Sequence, residues 1–249
     1  MSIDYKKEMD IAKKAALEAG KYLRNNKIKL NQALSSTNRD LKLKADIEAE
    51  KIIKDIIKRD SNIGILAEES GMSSDASFKS LWVVDPLDGT ANYSRDIPIC
   101  CVSIALISDF KPIIGVIYDF NNDHLYEGSI NTNACLNGKE ISVSKITKSN
   151  QGILITGLPN DTDYSDEALL NMIKNFQNWR KVRMLGSAAL ASAYIASGKA
   201  DLYMENKTYL WDVAAGAAIV NAAGGEALIV NQNEKFQVDV RFSNSLIKI

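Results

Sequence analysis

Between Tyr5 and Leu23 the apolar positions Tyr5, Met9, Ala12, Ala16, Ala19, Tyr22 and Leu23 recur every three or four residues, with charged residues between them. That period puts them on one face of a helix, so the chain is expected to open with an amphipathic helix. Lys27 to Leu43 has no such period, and Ser35-Ser36-Thr37-Asn38-Arg39-Asp40 crowds turn-forming residues together, which predicts a mobile loop. Ile47, Ile52, Ile53, Ile56 and Ile57 predict a second helix, with Asp46 standing as its N-cap. Ile63 to Ala67 and Leu81 to Val84 are short apolar runs bounded by polar loops, the pattern of buried strands, and each ends in acid.

β-Branched residues then dominate Cys100 to Ile107, Ile113 to Tyr118 and His124 to Glu127, with turn residues between, which predicts an antiparallel meander; Asn137-Gly138 adds a hairpin signal. The polar, lysine-containing stretch Ser144 to Gln151 is the best boundary between two lobes. Beyond it, strand-like Ile153-Leu154-Ile155, a helix from Glu167 to Phe176, a helix from Ser187 to Ala196, strand-like Asp201 to Met204 and a helix from Trp211 to Ala223 alternate. Helices and strands mix in both lobes without the regular βαβ repeat of a doubly wound sheet, and no internal repeat of roughly 20 to 50 residues is present.

Composition narrows the possible chemistry. Among 249 residues, 30 Lys and Arg face 31 Asp and Glu, a net charge of −1, so no global field draws in nucleic acid or an anionic membrane. With 46% apolar and 24% charged residues the chain is a globular protein with a sizeable core. The longest uncharged apolar runs, Cys100 to Ile107 and Val213 to Val220, fall far short of the ~20 residues that cross a bilayer. Met1 to Lys7 carries charge where a secretion signal would be apolar, so a cytoplasmic location is expected. Three cysteines (Cys100, Cys101, Cys135) without Cys-x-x-Cys spacing argue against a disulfide framework and a zinc knuckle. The single histidine, His124, lies in the turn-rich string Asp119 to His124 and reads as a hairpin-edge residue, not a base. Catalysis must therefore run on carboxylates, hydroxyls, backbone amides and metal.

Three segments place carboxylates where an apolar element meets a loop: Ala67-Glu68-Glu69-Ser70, Trp82-Val83-Val84-Asp85-Pro86-Leu87-Asp88-Gly89-Thr90 and Trp211-Asp212-Val213-Ala214-Ala215-Gly216. Hard divalent cations take oxygen ligands, and Asp85 and Asp88 are close enough in sequence to grip one ion or a pair from one turn. Gly89 permits close backbone approach, and a helix starting at Gly89-Thr90 would offer free N–H groups to a phosphate. Each segment taken singly is a turn, a strand end or a cap; calcium-loop and common nucleotide-binding patterns are absent.

Together and in this order the motifs resemble the inositol monophosphatase family, the Mg²⁺-dependent, lithium-sensitive sugar and polyol phosphatases. Gly115-Val116-Ile117-Tyr118-Asp119, Leu136-Asn137-Gly138-Lys139, Gly186-Ser187-Ala188-Ala189 and Asn221-Ala222-Ala223-Gly224-Gly225 extend the resemblance over nearly the whole chain. It implies a layered α-β-α-β-α sandwich, one domain over 1–249 built of two lobes (about 1–146 and 147–249), commonly a homodimer. It implies a three-metal site: Glu68, Asp85 and the Leu87 carbonyl hold one Mg²⁺, Asp85, Asp88 and Asp212 a second, and Glu68 with water a looser third. The substrate phosphate would lie on the amides of Gly89 and Thr90, with Asp88 and Asp212 also at the substrate. Glu68, and Thr90 paired with Asp46, would carry catalysis. Gly186, Ser187 and Ala188 would line the substrate pocket, and Glu205 would bind sugar hydroxyls. One departure stands out: Lys42-Leu43-Lys44-Ala45-Asp46 has Leu43 where the family usually shows Thr, which touches the loop and the third metal.

The implied activity is hydrolysis of a small phosphorylated metabolite, inositol monophosphate first, by in-line attack of a metal-activated water. Within the family the alternatives are fructose 1,6-bisphosphate and nucleotide 3′- or 2′-phosphates; outside it, a catalytically silent metal- or phosphate-binding protein.

Overall fold

The structure, a computed structural model, describes residues 5–37, 41–159 and 162–247. Helix α1 (Lys6–Asn25) buries Ile11, Ala12, Ala15, Ala16, Ala19 and Leu23 on the face that the period predicts. The following segment is not a simple loop. It forms a one-turn helix α2 (Lys27–Leu30) and a hairpin of β1 (Ala33–Ser36) and β2 (Leu41–Leu43). Leu30 and Leu43 are buried and pin this segment to the outer helices, an anchoring by two apolar residues too few to leave a period in the sequence. The Asn38-Arg39-Asp40 part of the predicted loop lies outside the described residues.

Helix α3 (Lys44–Asp60) starts three residues earlier than read. Its N-cap is Leu43, and Asp46 occupies the third helical position, where its carboxylate turns back to accept the Leu43 N–H at 2.6 Å. An acid there satisfies an orphan amide and meets the positive end of the helix dipole, so the cap chemistry is as expected but offset by three residues.

The first sheet follows: β3 (Gly64–Ala67), β4 (Gly71–Met72), β5 (Leu81–Asp88), then the short helix α4 (Thr90–Ser94), and β6 (Cys101–Ser108), β7 (Lys111–Asp119), β8 (His124–Ser129), β9 (Thr132–Leu136) and β10 (Lys139–Glu140). Its eight strands run β10-β9-β8-β7-β6-β5-β3-β4; β3 and β5 are parallel and all other pairs antiparallel, so the expected meander is present. Strand β5 continues past Val84 through the acidic string, and its register with β6 shifts between Asp85 and Asp88. Pro86 has no N–H for the ladder, so a bulge forms there and re-aims the flanking side chains. Asn137 and Gly138 both hold positive φ (50° and 74°), as the turn joining β9 to β10 requires. His124 begins β8, paired with Asp119 across the hairpin.

The second sheet is made of β11 (Ile153–Thr156), β12 (Lys181–Met184), β13 (Leu202–Tyr209), β14 (Glu226–Val230) and β15 (Gln237–Ser243), in the order β12-β11-β13-β15-β14, with helices α5 (Asp166–Phe176), α6 (Ala188–Ala196) and α7 (Leu210–Ala222) between strands in sequence. Strands β12, β14 and β15 carry no run long or apolar enough to be read beforehand.

Alternation along β6 shows how the layers are made. Cys101, Ala105 and Ile107 join the core facing α6 and α7, while Val102, Ile104 and Leu106 join the core under α1 and α3. Helix α7 is apolar on nearly every side because it lies between two sheets. It sits so close to β7 that a Cβ on Gly115 would collide with the Ala215 carbonyl. Phe176 of α5 packs with Leu154 and Leu202 on the outer face of the second sheet. The order helix, sheet, helix, sheet, helix is the layered sandwich that the sequence implied.

Candidate active site

Because β3 and β5 are parallel neighbours, Glu68 just beyond β3 and Asp85 to Thr90 at the end of β5 emerge at one edge of the first sheet. Across from them come the start of α6, the first turn of α7 and the middle of β13 from the second sheet. Between these elements lies a cavity of about 240 Å³ whose wall includes Glu68, Asp85, Leu87, Asp88, Gly89, Thr90, Gly186, Ser187, Ala188, Glu205 and Asp212. Every candidate from the sequence is therefore on this wall except Asp46, which is buried one layer behind and reaches it through Thr90.

The wall carries five carboxylates and, among the described residues, no Lys, Arg or His. Hydrogen bonds orient them. Asp85 Oδ1 accepts the Leu87 N–H at 3.0 Å, across the proline. Asp212 is the third residue of α7, and its Oδ2 accepts the Thr208 hydroxyl at 2.7 Å and the Tyr209 N–H at 3.0 Å. Asp88 is turned to the start of α6, accepting from Ser187 Oγ, Ala188 N (3.2 Å) and Ala189 N (2.9 Å). Glu205 accepts from the Tyr203 hydroxyl at 3.1 Å. Gly89, at φ 88°, turns the chain from β5 into α4 in the left-handed region; a Cβ there would meet the Ile99 carbonyl.

Burial and mutual repulsion raise the proton affinity of these acids. Desolvation of its carboxyl, and then the Asp212 charge, pushes Glu68 above the carboxylate range, although the residue as a whole is exposed. Burial, and then Glu68 and Asp88, does the same to Asp85, and the carboxyls of Glu68 and Asp85 are hydrogen-bonded to each other. Burial raises Asp212 to about 7, with Asp88 adding repulsion, Glu205 to about 8, and Asp46 to about 7.

Among the described residues no three of these acids already close on one point as a finished cage; each is drawn to its own hydrogen-bond partners. The donor set fits a hard divalent cation nonetheless. It is all oxygen, carries far more negative charge than neighbouring donors can neutralise, and adds the Leu87 carbonyl. Soft metals and His-built sites are excluded by the same inventory.

Thr208 and Tyr203, which hold Asp212 and Glu205, were not read from the sequence, nor was the Thr156 to Pro159 segment that closes one side of the cavity. Thr208 sits four residues before Asp212 and one before the Tyr209 N-cap, and its hydroxyl donates to that acid, a local spacing that could have been used. Tyr203 and the Thr156 segment have none, being apolar-strand residues brought in by the parallel pairing of β11 and β13.

A sequence profile described as the inositol monophosphatase family matches residues 4–246. The Nus factor SuhB of Xylella fastidiosa is 37% identical over 224 residues, covering 88% of this chain and 81% of that protein. An inositol-1-monophosphatase of Synechocystis is 35% identical over 225 residues, covering 87% and 77%. Among solved structures, the extragenic suppressor protein suhB of Bartonella henselae superposes with a TM-score of 0.87 at 30% identity, covering 96% of this chain and 94% of that one.

Proposed function

The chain belongs to the inositol monophosphatase family, a family of phosphatases, and from that premise we propose that it hydrolyses a small sugar or polyol phosphate, inositol monophosphate first, with Mg²⁺ as cofactor. The observation that supports this reading most directly is electrostatic: among the described residues, five carboxylates and no basic side chain surround the cavity. A phosphate dianion cannot enter such a wall unless cations enter with it. When bound, divalent cations supply that charge, steady the leaving oxygen and make water a better nucleophile at neutral pH.

In this reading Glu68, Asp85 and the Leu87 carbonyl hold one ion, Asp85, Asp88 and Asp212 a second, and Glu68 with water a third. The amides of Gly89 and Thr90 orient the phosphate. Thr90 donates its hydroxyl proton to Asp46 Oδ1 at 3.0 Å, which leaves an oxygen lone pair directed elsewhere to accept a proton from an attacking water. Asp46, raised to about 7, is poised to take up a proton through Thr90 near neutral pH. Gly186, Ser187 and Ala188 complete the substrate wall, and Glu205 accepts hydrogen bonds from ring hydroxyls. No protein nucleophile is required, consistent with the single histidine, His124, not being among the residues that line the cavity.

We read the chain as one domain of two lobes, about 1–146 and 147–249, because α7 packs on strands of both sheets, and as a cytoplasmic homodimer acting on small metabolites. No helix among the described residues is long and apolar enough to cross a membrane.

The deciding experiment is a panel of phosphorylated metabolites, including inositol monophosphates, fructose 1,6-bisphosphate and nucleotide 3′- and 2′-phosphates, ranked by kcat/KM with Mg²⁺. The expected result is a polyol monophosphate at the head. A nucleotide or bisphosphate at the head would replace the substrate assignment, and no phosphate release from any member would leave a silent binding protein.

A further inference from the structure

Asp88 ends β5 on the first sheet, yet most of its hydrogen bonds cross to the opposite lobe. Its Oδ2 accepts from Ser187 Oγ, from the Ala189 N–H at 2.9 Å and from the Cys101 thiol at 3.6 Å; its Oδ1 accepts only the Ala188 N–H at 3.2 Å. A carboxylate oxygen has about two lone-pair sites, so Oδ2 is saturated and Oδ1 keeps one open.

Ser187 has its one proton and one of its two lone pairs already engaged. It caps α6, its Oγ accepts the Leu190 N–H at 3.2 Å, and its one hydroxyl proton is committed to Asp88. The side chain is buried, with 5% of the residue exposed, which leaves no donor for a substrate hydroxyl. A second tie fixes the same seam: Asn92 Nδ2 donates to the Leu185 and Ile99 carbonyls, both at 2.8 Å, so the backbone leading into Gly186 and Ser187 is anchored to the turn that follows Asp88.

We infer that Ser187 is a positioning residue for Asp88, turning that carboxylate so that only Oδ1 faces an incoming cation, and that its hydroxyl is not a substrate contact. This rests on the metal-dependent reading above and changes one part of it. Partners that orient a ligating carboxylate from behind are worth about 10- to 100-fold in metal affinity or activity when removed. Here the orientation is set by two backbone amides, a hydroxyl and a thiol.

Ser187→Gly and Ser187→Thr separate this role from capping, because Gly at an N-cap costs a helix only a few tenths of a kcal/mol while removing the hydroxyl. Mg²⁺ binding to the metal-free protein would be measured by calorimetry for both variants and the unaltered chain, together with metal-free Tm and, at saturating Mg²⁺, KM for the best polyol phosphate and for p-nitrophenyl phosphate. The expected result is Mg²⁺ affinity about 10- to 100-fold weaker in Ser187→Gly, restored in Ser187→Thr, with neither KM selectively raised. A raised KM for the polyol phosphate with unchanged Mg²⁺ affinity would overturn the inference and make Ser187 a substrate contact. A lower Tm with unchanged Mg²⁺ affinity would overturn it in favour of a cap alone. No Mg²⁺ binding by the unaltered chain would instead overturn the metal-dependent reading, and this inference with it.

Discussion

Thr90 Oγ1 donates a hydrogen bond to Asp46 Oδ1 at 3.0 Å, joining residues 44 positions apart in the chain. The same hydroxyl lies 3.0 Å from the Leu87 carbonyl, a competing acceptor for its single proton. Asp46 itself is fixed by the Leu43 N–H, so the pair is held by the first turn of α3 on one side and the first turn of α4 on the other.

Thr90→Val keeps the shape and removes the hydroxyl, and should lower kcat by roughly 10²- to 10⁴-fold, the range of a positioned proton-transfer group. Thr90→Ser should retain most turnover. Steady-state kinetics at saturating Mg²⁺ reads this; wild-type kcat in Thr90→Val would remove the pair from the chemistry.

Chelation should abolish phosphate release and added Mg²⁺ should restore it, since among the described residues the cavity wall has no positive side chain to hold phosphate. Lithium should inhibit, as the family resemblance implies. Full turnover in excess EDTA would disprove the metal requirement.

Acids held above their ordinary range make the metal-free fold sensitive to base. Asp46 and Asp212 at about 7 and Glu205 at about 8 bind protons that the unfolded chain, with carboxyls near 4, has released. The folded state thus holds the extra protons, and the stability these groups contribute is fully present below about pH 4 and is lost as pH rises from about 4 to about 8. Metal-free Tm should be higher at pH 5.5 than at pH 8, and Mg²⁺ should narrow the gap; a flat or opposite profile would contradict the crowding of these acids.

Asp88→Asn and Asp212→Asn should both lose most of kcat, but they should part company in stability. Asp212 uses one oxygen, Oδ2, for Thr208 and Tyr209, so an asparagine carbonyl can serve both donors while removing a charge repelled by Asp88. Its metal-free Tm should rise. Asp88 accepts on both oxygens, so an amide NH₂ must face a donor and the Tm should fall. Thermal scans in EDTA check the sign of each.

Glu205→Gln should lower kcat/KM for polyol phosphates by about 10- to 100-fold, as expected for a hydrogen bond to a charged group worth roughly 1.5 to 3 kcal/mol. p-Nitrophenyl phosphate, without ring hydroxyls, should be cleaved nearly as before. The carboxyl lies against Gly157, where a Cβ would run into it, so it is seated by backbone as well as by Tyr203. Equal losses on both substrates would move Glu205 from substrate choice to structure.

The long periodic elements were legible in the chain alone. The period from Tyr5 to Leu23 became α1, the apolar runs before Glu68 and Asp85 became the parallel pair β3 and β5, and the acidic strings marked the ends of those strands. These readings succeed because burial imposes a fixed spacing that sequence displays directly. Short or half-exposed elements were not legible: Leu30 and Leu43 anchor the β1-β2 segment as isolated contacts, and β14 alternates at the sheet edge with only partial burial.

Which acids and hydroxyls were present was a matter of sequence, and so was their mutual repulsion, since a chain with one histidine and these carboxylates has few other ways to gather charge. Their orientation was decided only by the fold. Asp46 is an N3 acid and not a cap because Leu43 is drawn into the core and shifts the helix start. Asp88 turns its Oδ2 toward α6, and Ser187 its hydroxyl toward Asp88, because two sheets pack on the same pair of helices and bring residues 99 positions apart within hydrogen-bond reach. Spacing along a chain fixes which face a side chain is on; only packing between elements fixes which of its two oxygens is left free.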